Sequence, residues 1–210
     1  MLKYLKKKFW KYLNRQSLNN WYKRNFSSPS PEFVKHKIIA KYNLQKALWI
    51  ETGTYYGDTT NALSKISEKI ISIEADNRLF DLAIKKFEDS DNIEIINGKS
   101  QDLLEGLLKG NINYKNLCIF LDAHTCLDHL TSKLVSKDEN LETPIMIELD
   151  IIKNHLKNFD KVNILIDDIR LFNGKSINYP HLNQIVDWAR NNNSNWFIEH
   201  DMFIINFKAS

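Results

Sequence analysis

Five short apolar runs constrain this chain more than anything else in it: KALWIETG (46–53), KIISIEAD (69–76), NIEIINGK (92–99), NLCIFLDAH (116–124) and VNILIDDIR (162–170). Each is rich in Ile, Leu or Val and ends in polar residues, the pattern of parallel strands buried on both faces. Between them DTTNALSKIS, NRLFDLAIKKFED, SQDLLEGLLK and ETPIMIELDIIKNHL carry an apolar stripe at helical spacing, with Asp58 or Thr59 and then Ser100 as expected N-caps. Strands alternating with helices at this pitch predict an α/β domain, a Rossmann-like open twisted sheet with helices on both faces. HLNQIVDWARNNN reads as a last helix, and WFIEHDMFIINFKAS as two short strands turning at His200-Asp201. That terminal hairpin makes the sheet mostly parallel with an antiparallel last strand.

The 210 residues, 43% hydrophobic, suffice for one domain plus an appendage. Charge divides the chain: residues 1–31 hold eight Lys or Arg and no acid, so the net +3 combines a head of +8 with a body of −5. SSPSPEF (27–33) is the expected boundary, giving a basic extension over 1–31 and an α/β domain over 32–210. In the head Leu2, Leu5, Phe9, Trp10 and Leu13 recur at helical spacing among lysines. Such a basic amphipathic helix could contact a membrane surface through residues 1–26, bind nucleic acid, or pack on the body with its lysines solvated. Cys118 and Cys126 do not make a disulfide framework, no run of about 18 apolar residues occurs, and no apolar segment follows the first lysines. A cytoplasmic protein is the expectation, peripheral to the inner face of the membrane if the head binds there.

Ligands of open α/β sheets sit beyond the carboxyl ends of the strands, which here read Glu51-Thr52-Gly53, Glu74-Ala75-Asp76, Gly98-Lys99-Ser100, Asp122-Ala123-His124 and Asp167-Asp168. Gly53 and Gly57 suit a sharp turn beneath a closely approaching ligand. Glu51 beside that turn repels a phosphate and suits a cation. Glu74 stands 23 residues later, placed to accept hydrogen bonds from ribose hydroxyls. S-adenosylmethionine, with a sulfonium, an α-amino group, a ribose and no phosphate, fits both acids. A nicotinamide-dependent oxidoreductase would call for G-x-G-x-x-G, which E-T-G-T-Y-Y-G does not supply. A tight structural connection also explains an isolated acid-x-Gly turn.

The run WIETGTYYGDTT, IISIEAD, NIEIINGKS, LCIFLDAH and ILIDDIRLF, about residues 47–172, resembles the class I S-adenosylmethionine-dependent methyltransferases, with Tyr55 in place of the middle glycine of the first motif and Lys99 where an acid is usual. The resemblance implies a seven-stranded sheet and a cofactor site of Glu51, Thr52, Gly53, Thr54, Gly57, Asp58, Thr59, Glu74, Ala75, Ser100 and Asp122. The acceptor side is similar to metal-dependent sugar O-methyltransferases of the macrocin type, which implies Asp122, Asp167 and Asp168 as ligands of a divalent ion such as Mg²⁺, and His124, Asp122 and Asp168 as catalytic groups. Asp167 or Asp168 could equally cap the next turn or pair with Arg170, and His124 could be a hydrogen-bonded structural residue. His36, His155 and His181 read as surface residues. The polar stretch 125–144 is expected to form a lid over the acceptor, and Tyr179 to rim it.

The function expected from these residues is O-methylation of a small polar acceptor, a sugar or glycan-biosynthesis intermediate. A nucleic-acid methyltransferase or binding protein using the basic head is the alternative. Nucleic acid is disfavoured because the body is net negative and no Asn/Asp-Pro-Pro-Tyr strand end appears. Oligomeric state is not legible.

Overall fold

The computed structural model describes residues 2–124, 126–127, 134–135, 143–175 and 179–208. Helices α1 (Leu2–Lys23) and α2 (Glu32–Lys41) lead into β1 (Ala47–Thr52), α3 (Asp58–Leu63), β2 (Lys69–Glu74), α4 (Asn77–Lys86), β3 (Ile93–Asn97), α5 (Ser100–Gly110) and β4 (Asn116–Leu121). After a two-residue pair, β5 (Cys126–Leu127) and β6 (Leu134–Val135), come α6 (Ile145–His155), β7 (Lys161–Ile166), α7 (Leu182–Asn191), β8 (Asn195–Glu199) and β9 (Met202–Lys208). Seven strands form one sheet in the order β3-β2-β1-β4-β7-β9-β8. β9 runs antiparallel to both its neighbours and every other pairing is parallel, as the terminal hairpin in the sequence implies.

Alternation along the strands sorts side chains to two cores. Leu48 and Ile50 of β1 and Leu117, Ile119 and Leu121 of β4 join residues of α5, α6 and α7 on one face. Ala47 and Trp49 of β1 and Cys118 and Phe120 of β4 join Ile38 and Ile39 of α2 and Leu63 of α3 on the other. Helices thus cover both faces, so β1 is buried at every position. Because the order reverses between β1 and β4, the carboxyl ends of these two strands open onto one crevice.

Some local expectations are corrected. Neither Asp58 nor Thr59 caps α3, which starts from Gly57 in the left-handed conformation, and α5 has Lys99 before it with no side-chain cap. The helix that does receive a side-chain cap in this region is α4, where Asp76 accepts from the Leu79 N–H at 2.9 Å. His155 is buried rather than on the surface, because α6 turns it inward beside Asn158. Most of the expected lid at 125–144 lies outside the described residues. Among the described residues no helix is long and apolar enough to cross a membrane.

The head is joined to the body. Trp21 is 6% exposed, its indole N–H donates to the Ser27 carbonyl at 3.0 Å, and its ring lies 5.3 Å from that of His200 in the β8–β9 turn. Trp21→Ala is therefore expected to lower the unfolding free energy of the whole chain by about 3–5 kcal/mol, measured by urea denaturation. An unchanged midpoint would mark residues 1–23 as energetically separate from the domain.

Candidate active site

The turn after β1 is shaped by contacts that its residues make inside the protein. Gly53 has φ of +90°, and a Cβ there would stand 2.9 Å from the Asp122 carbonyl oxygen, so only glycine lets the β1 turn press against the end of β4. Tyr55, at φ of +51°, takes a left-handed conformation of the sort a glycine would adopt without strain. Its N–H donates to Glu74 Oε2 at 2.7 Å, and the Asp76 N–H donates to Oε1 at 2.8 Å. Glu74 is 2% exposed and holds the turn closed with both oxygens.

Glu51 lies wholly buried below the turn. Its Oε2 accepts from Thr60 Oγ1 at 2.5 Å and Ser72 Oγ at 2.6 Å, while Oε1 has no hydrogen-bond partner. Burial pushes its carboxyl up to about 8, against the lowering effect of those two hydroxyls. Thr54 also faces inward, 2.6 Å from the Ser72 hydroxyl. Asp58 is exposed and pairs with Lys86 at 2.9 Å; Thr59 is half-buried, Ala75 exposed, and Thr52, Gly57 and Ser100 buried. These residues fit a cationic, ribose-bearing group: an acid with an orphaned buried oxygen lies under the turn, and a second buried acid ends β2.

At the ends of β4 and β7 the sequence-based assignment is altered by a residue that it missed. Lys35, from α2, inserts its ammonium between the two strand ends, 3.3 Å from Asp122 Oδ2 and in contact with Asp167 Oδ2. The carboxylates and the Phe120 ring, 5.2 Å away, hold the lysine protonated despite its burial. Burial works against the Asp122 charge, but Lys35 and His124 outweigh it and keep this carboxyl below its ordinary value. Asp167 is pushed up to about 7 by burial and by the charges of Asp122 and Asp168, with Lys35 opposing.

His124 stands between the acids, its Nδ1 3.1 Å from the Asp122 carbonyl and 3.4 Å from Asp122 Oδ1, its Nε2 3.9 Å from Asp168 Oδ2. Burial opposes the imidazolium, yet Asp122 and Asp168 raise its pKa overall. Asp168 has a left-handed backbone and receives Arg170 Nη1 at 2.5 Å, so the pairing with Arg170 is formed, and the same Nη1 also contacts Asp201. The expected metal set of Asp122, Asp167 and Asp168 is corrected, since Asp167 is turned to Lys35. Among the described residues, the group with donor atoms within 4.8 Å of one another is Asp122, His124 and Asp168. A small pocket opens beside them, walled by Glu148, Phe172 and Tyr179. No periodicity or strand-end rule points to Lys35 or Glu148, because both come from helices and are interspersed with core residues.

The strand order and the reversal at β1 and β4 are those of the class I methyltransferase fold. Solved structures agree: the precorrin-6y C5,15-methyltransferase from Geobacter metallireducens superposes with a TM-score of 0.53 at 10% identity over 83% of this chain and 86% of that one. The 23S rRNA methyltransferase ErmE gives 0.52 at 12% over 86% and 68%. The chain belongs to the ribosomal RNA adenine dimethylase family, whose model matches residues 15–160. Curated relatives include an rRNA adenine N-6-methyltransferase from Escherichia coli, 34% identical over 45% of this chain and 37% of that protein. Another is the ribosomal RNA small subunit methyltransferase A of Dehalococcoides mccartyi, 28% identical over 69% and 50%. The chain thus spans half or less of the length of these relatives. This family overturns the expectation that disfavoured nucleic acid in favour of a glycan or small molecule: the net charge of the body is too coarse a measure to exclude an RNA partner.

Two outcomes follow from the electrostatics. Lys35→Met leaves Asp122 and Asp167 facing each other without a cation, so a loss of about 3–5 kcal/mol is expected at pH 8. The loss should shrink towards pH 5 as the unpaired carboxylates take up protons, which denaturant titrations at the two pH values would show. For Glu51 the folded pKa lies above the unfolded value, so its contribution is complete below about pH 4.5 and is lost as pH rises through about 8. Glu51→Gln should flatten the fall of stability between pH 5 and 8.5; an equally steep fall in the variant would show that other groups cause it.

Proposed function

We propose that this chain transfers a methyl group from S-adenosylmethionine to the exocyclic amine of an adenine in ribosomal RNA. The observation that carries the reading is the position of Asp122. Its backbone carbonyl touches the Gly53 turn, and its carboxylate, held ionised by Lys35, faces a pocket with the Phe172–Tyr179 ring pair, whose centroids are 5.3 Å apart. Membership of the ribosomal RNA adenine dimethylase family supports the acceptor.

An exocyclic amine is a weak nucleophile because its lone pair is delocalised into the ring. Hydrogen bonds from its N–H groups to a fixed carboxylate hold it in line and favour the positive charge that develops on nitrogen. Nitrogen bonds to the methyl carbon, the carbon–sulfur bond breaks with its electron pair going to sulfur, and the amine proton passes to Asp122 or to the adjacent His124. Glu51 and Glu74 serve the cofactor, the first by the α-amino group and the second by the ribose. Aromatic faces at Phe172 and Tyr179 suit a base withdrawn from its stack.

A second reading has its own observation. The donor atoms of Asp122, His124 and Asp168 lie within 4.8 Å of one another, and β4 ends in Asp-Ala-His without a Pro-Pro-aromatic run. A divalent cation held there would acidify a hydroxyl acceptor, giving O-methylation.

Calorimetry with S-adenosylmethionine, S-adenosylhomocysteine and NADH should show heat for the two adenosyl ligands alone, weakened at least tenfold in Glu74→Ala. Incubation with labelled S-adenosylmethionine and ribosomal RNA, followed by nuclease digestion, should then yield N6-methyladenosine with or without chelator. Label in a hydroxyl acceptor, abolished by chelator, with none in RNA would replace this reading by the second. Absence of binding to either adenosyl ligand would remove both.

A further inference from the structure

We infer that the outward flank of α1, ending in Tyr22 and Phe26, is a binding surface for single-stranded RNA, on which the rings stack against bases and Arg15 and Lys23 meet phosphates. The inference rests on the ribosomal RNA reading above.

α1 carries seven Lys or Arg and no Asp or Glu over 22 residues, a span of about 33 Å. It is anchored at its root, where Trp21 is the one buried side chain between residues 12 and 29. The flank turned away from Trp21 is open. In helical projection it presents Tyr12, Asn19, Arg15, Tyr22 and Leu18 in that order, all of them exposed. Among the described residues neither Arg15 nor Lys23 forms an ion pair, although the body is net −5.

At the carboxyl end of the helix Tyr22 is 68% and Phe26 56% exposed, with ring centroids 5.7 Å apart. Phe26 has φ of +57°, a left-handed conformation that a bulky residue seldom takes, and its ring stands edge-on to Trp21 at 5.1 Å. The turn that buries Trp21 therefore holds two neighbouring aromatic rings in water beside cations. A helix made for a membrane interface separates its apolar residues from its charges. Over residues 12–26 the two are interleaved, which leaves acyl chains no continuous apolar face. A nucleic acid strand suits that order, because bases stack on aromatic planes and phosphates take the cations between them.

The root of α1 adjoins the site. Trp21 packs on His200, and the next residue, Asp201, accepts from the Arg170 N–H at 3.0 Å. Arg170 pairs with Asp168, which stands 3.9 Å from His124. Pro29 and Ser30, just after the helix, line a crevice together with Lys35, Asp167 and Asp168. A strand held at Tyr22 and Phe26 thus has a short path to the acceptor carboxylates.

The test uses the full chain saturated with S-adenosylhomocysteine and a labelled single-stranded RNA oligonucleotide, with binding read by fluorescence anisotropy over a series of salt concentrations. Affinity should fall linearly with salt on logarithmic axes. Replacing both cations, Arg15→Gln with Lys23→Gln, should flatten the slope by about 1.4, because each phosphate contact on a single strand contributes about 0.7. Tyr22→Leu and Phe26→Leu keep apolar bulk but remove a ring face, and each should weaken binding roughly fivefold or more at an unchanged slope. Tyr22→Leu should keep the wild-type Tm and affinity for S-adenosylhomocysteine. In the transfer assay it should raise the KM for RNA and leave kcat unchanged.

Absence of RNA binding by wild type, or binding that none of these substitutions weakens, would overturn the surface. So would substitutions that abolish pelleting with phosphatidylglycerol vesicles and spare RNA binding, which would assign the helix to a membrane. A wild type whose RNA binding needs these residues but which methylates no RNA would remove the acceptor reading and leave the surface standing. RNA methylation with an unaltered KM in Tyr22→Leu would do the reverse.

Discussion

The Lys35 ammonium at the carboxyl edge of the sheet is the contact on which the site depends. Parallel strands carry their polar ends to one edge, and here that edge brings Asp122, Asp167 and Asp168 together at β4 and β7. Three carboxylates so close in a partly dry crevice would repel one another and drive their protons back on. A single cation supplied by α2 lets one of them, Asp122, remain ionised while Asp167 takes the raised pKa. The helix before β1 is thus part of the site. Its apolar residues Ile38 and Ile39 fix it on the sheet, and the lysine one turn earlier reaches over the strand ends.

On the proposed reading, the same edge divides into a cofactor side and an acceptor side through side-chain alternation. Glu51 points to the face of α3, and Thr52, one residue on, to the face of α5 and α6. Gly53 then closes the distance to Asp122, so the cofactor turn and the acceptor carboxylate share a wall of backbone. On the proposed reading, adjacent residues of one strand thereby serve different halves of a transfer reaction. A residue with a Cβ at position 53 would separate those halves before it altered any chemistry.

What was legible in the sequence is what periodicity and strand ends encode. The seven strands, the reversed terminal strand and the acids at the edge follow from runs such as ILIDDIR and IISIEAD, where burial on both faces enforces composition. Helix caps were less legible, because Gly57 and Lys99 hold their positions by backbone conformation and tertiary contact, leaving Asp58, Thr59 and Ser100 without the expected role. Lys35 and Glu148 were illegible for a different reason. A charged residue within an apolar helical stripe reads as a solvated flank until the fold shows what it faces. The division of Asp167 and Asp168 between Lys35 and Arg170 also depends on side-chain direction, which neighbouring positions in a strand end do not specify.

The failure of the charge argument against nucleic acid has a physical cause in the same edge. A formal −5 for the body counts every acid as ionised, yet Glu51, Glu148 and Asp167 are buried with carboxyls raised to about 8, 7 and 7. Burial makes each of these carboxyls harder to ionise than a solvated one, so the formal count overstates the negative charge at the strand ends. Formal charge is distributed over the surface, whereas a polyanion meets a local field. On the proposed reading, an edge of acids that resist ionisation around one retained carboxylate meets a cationic cofactor and a phosphate-bearing acceptor with its charge concentrated at Asp122.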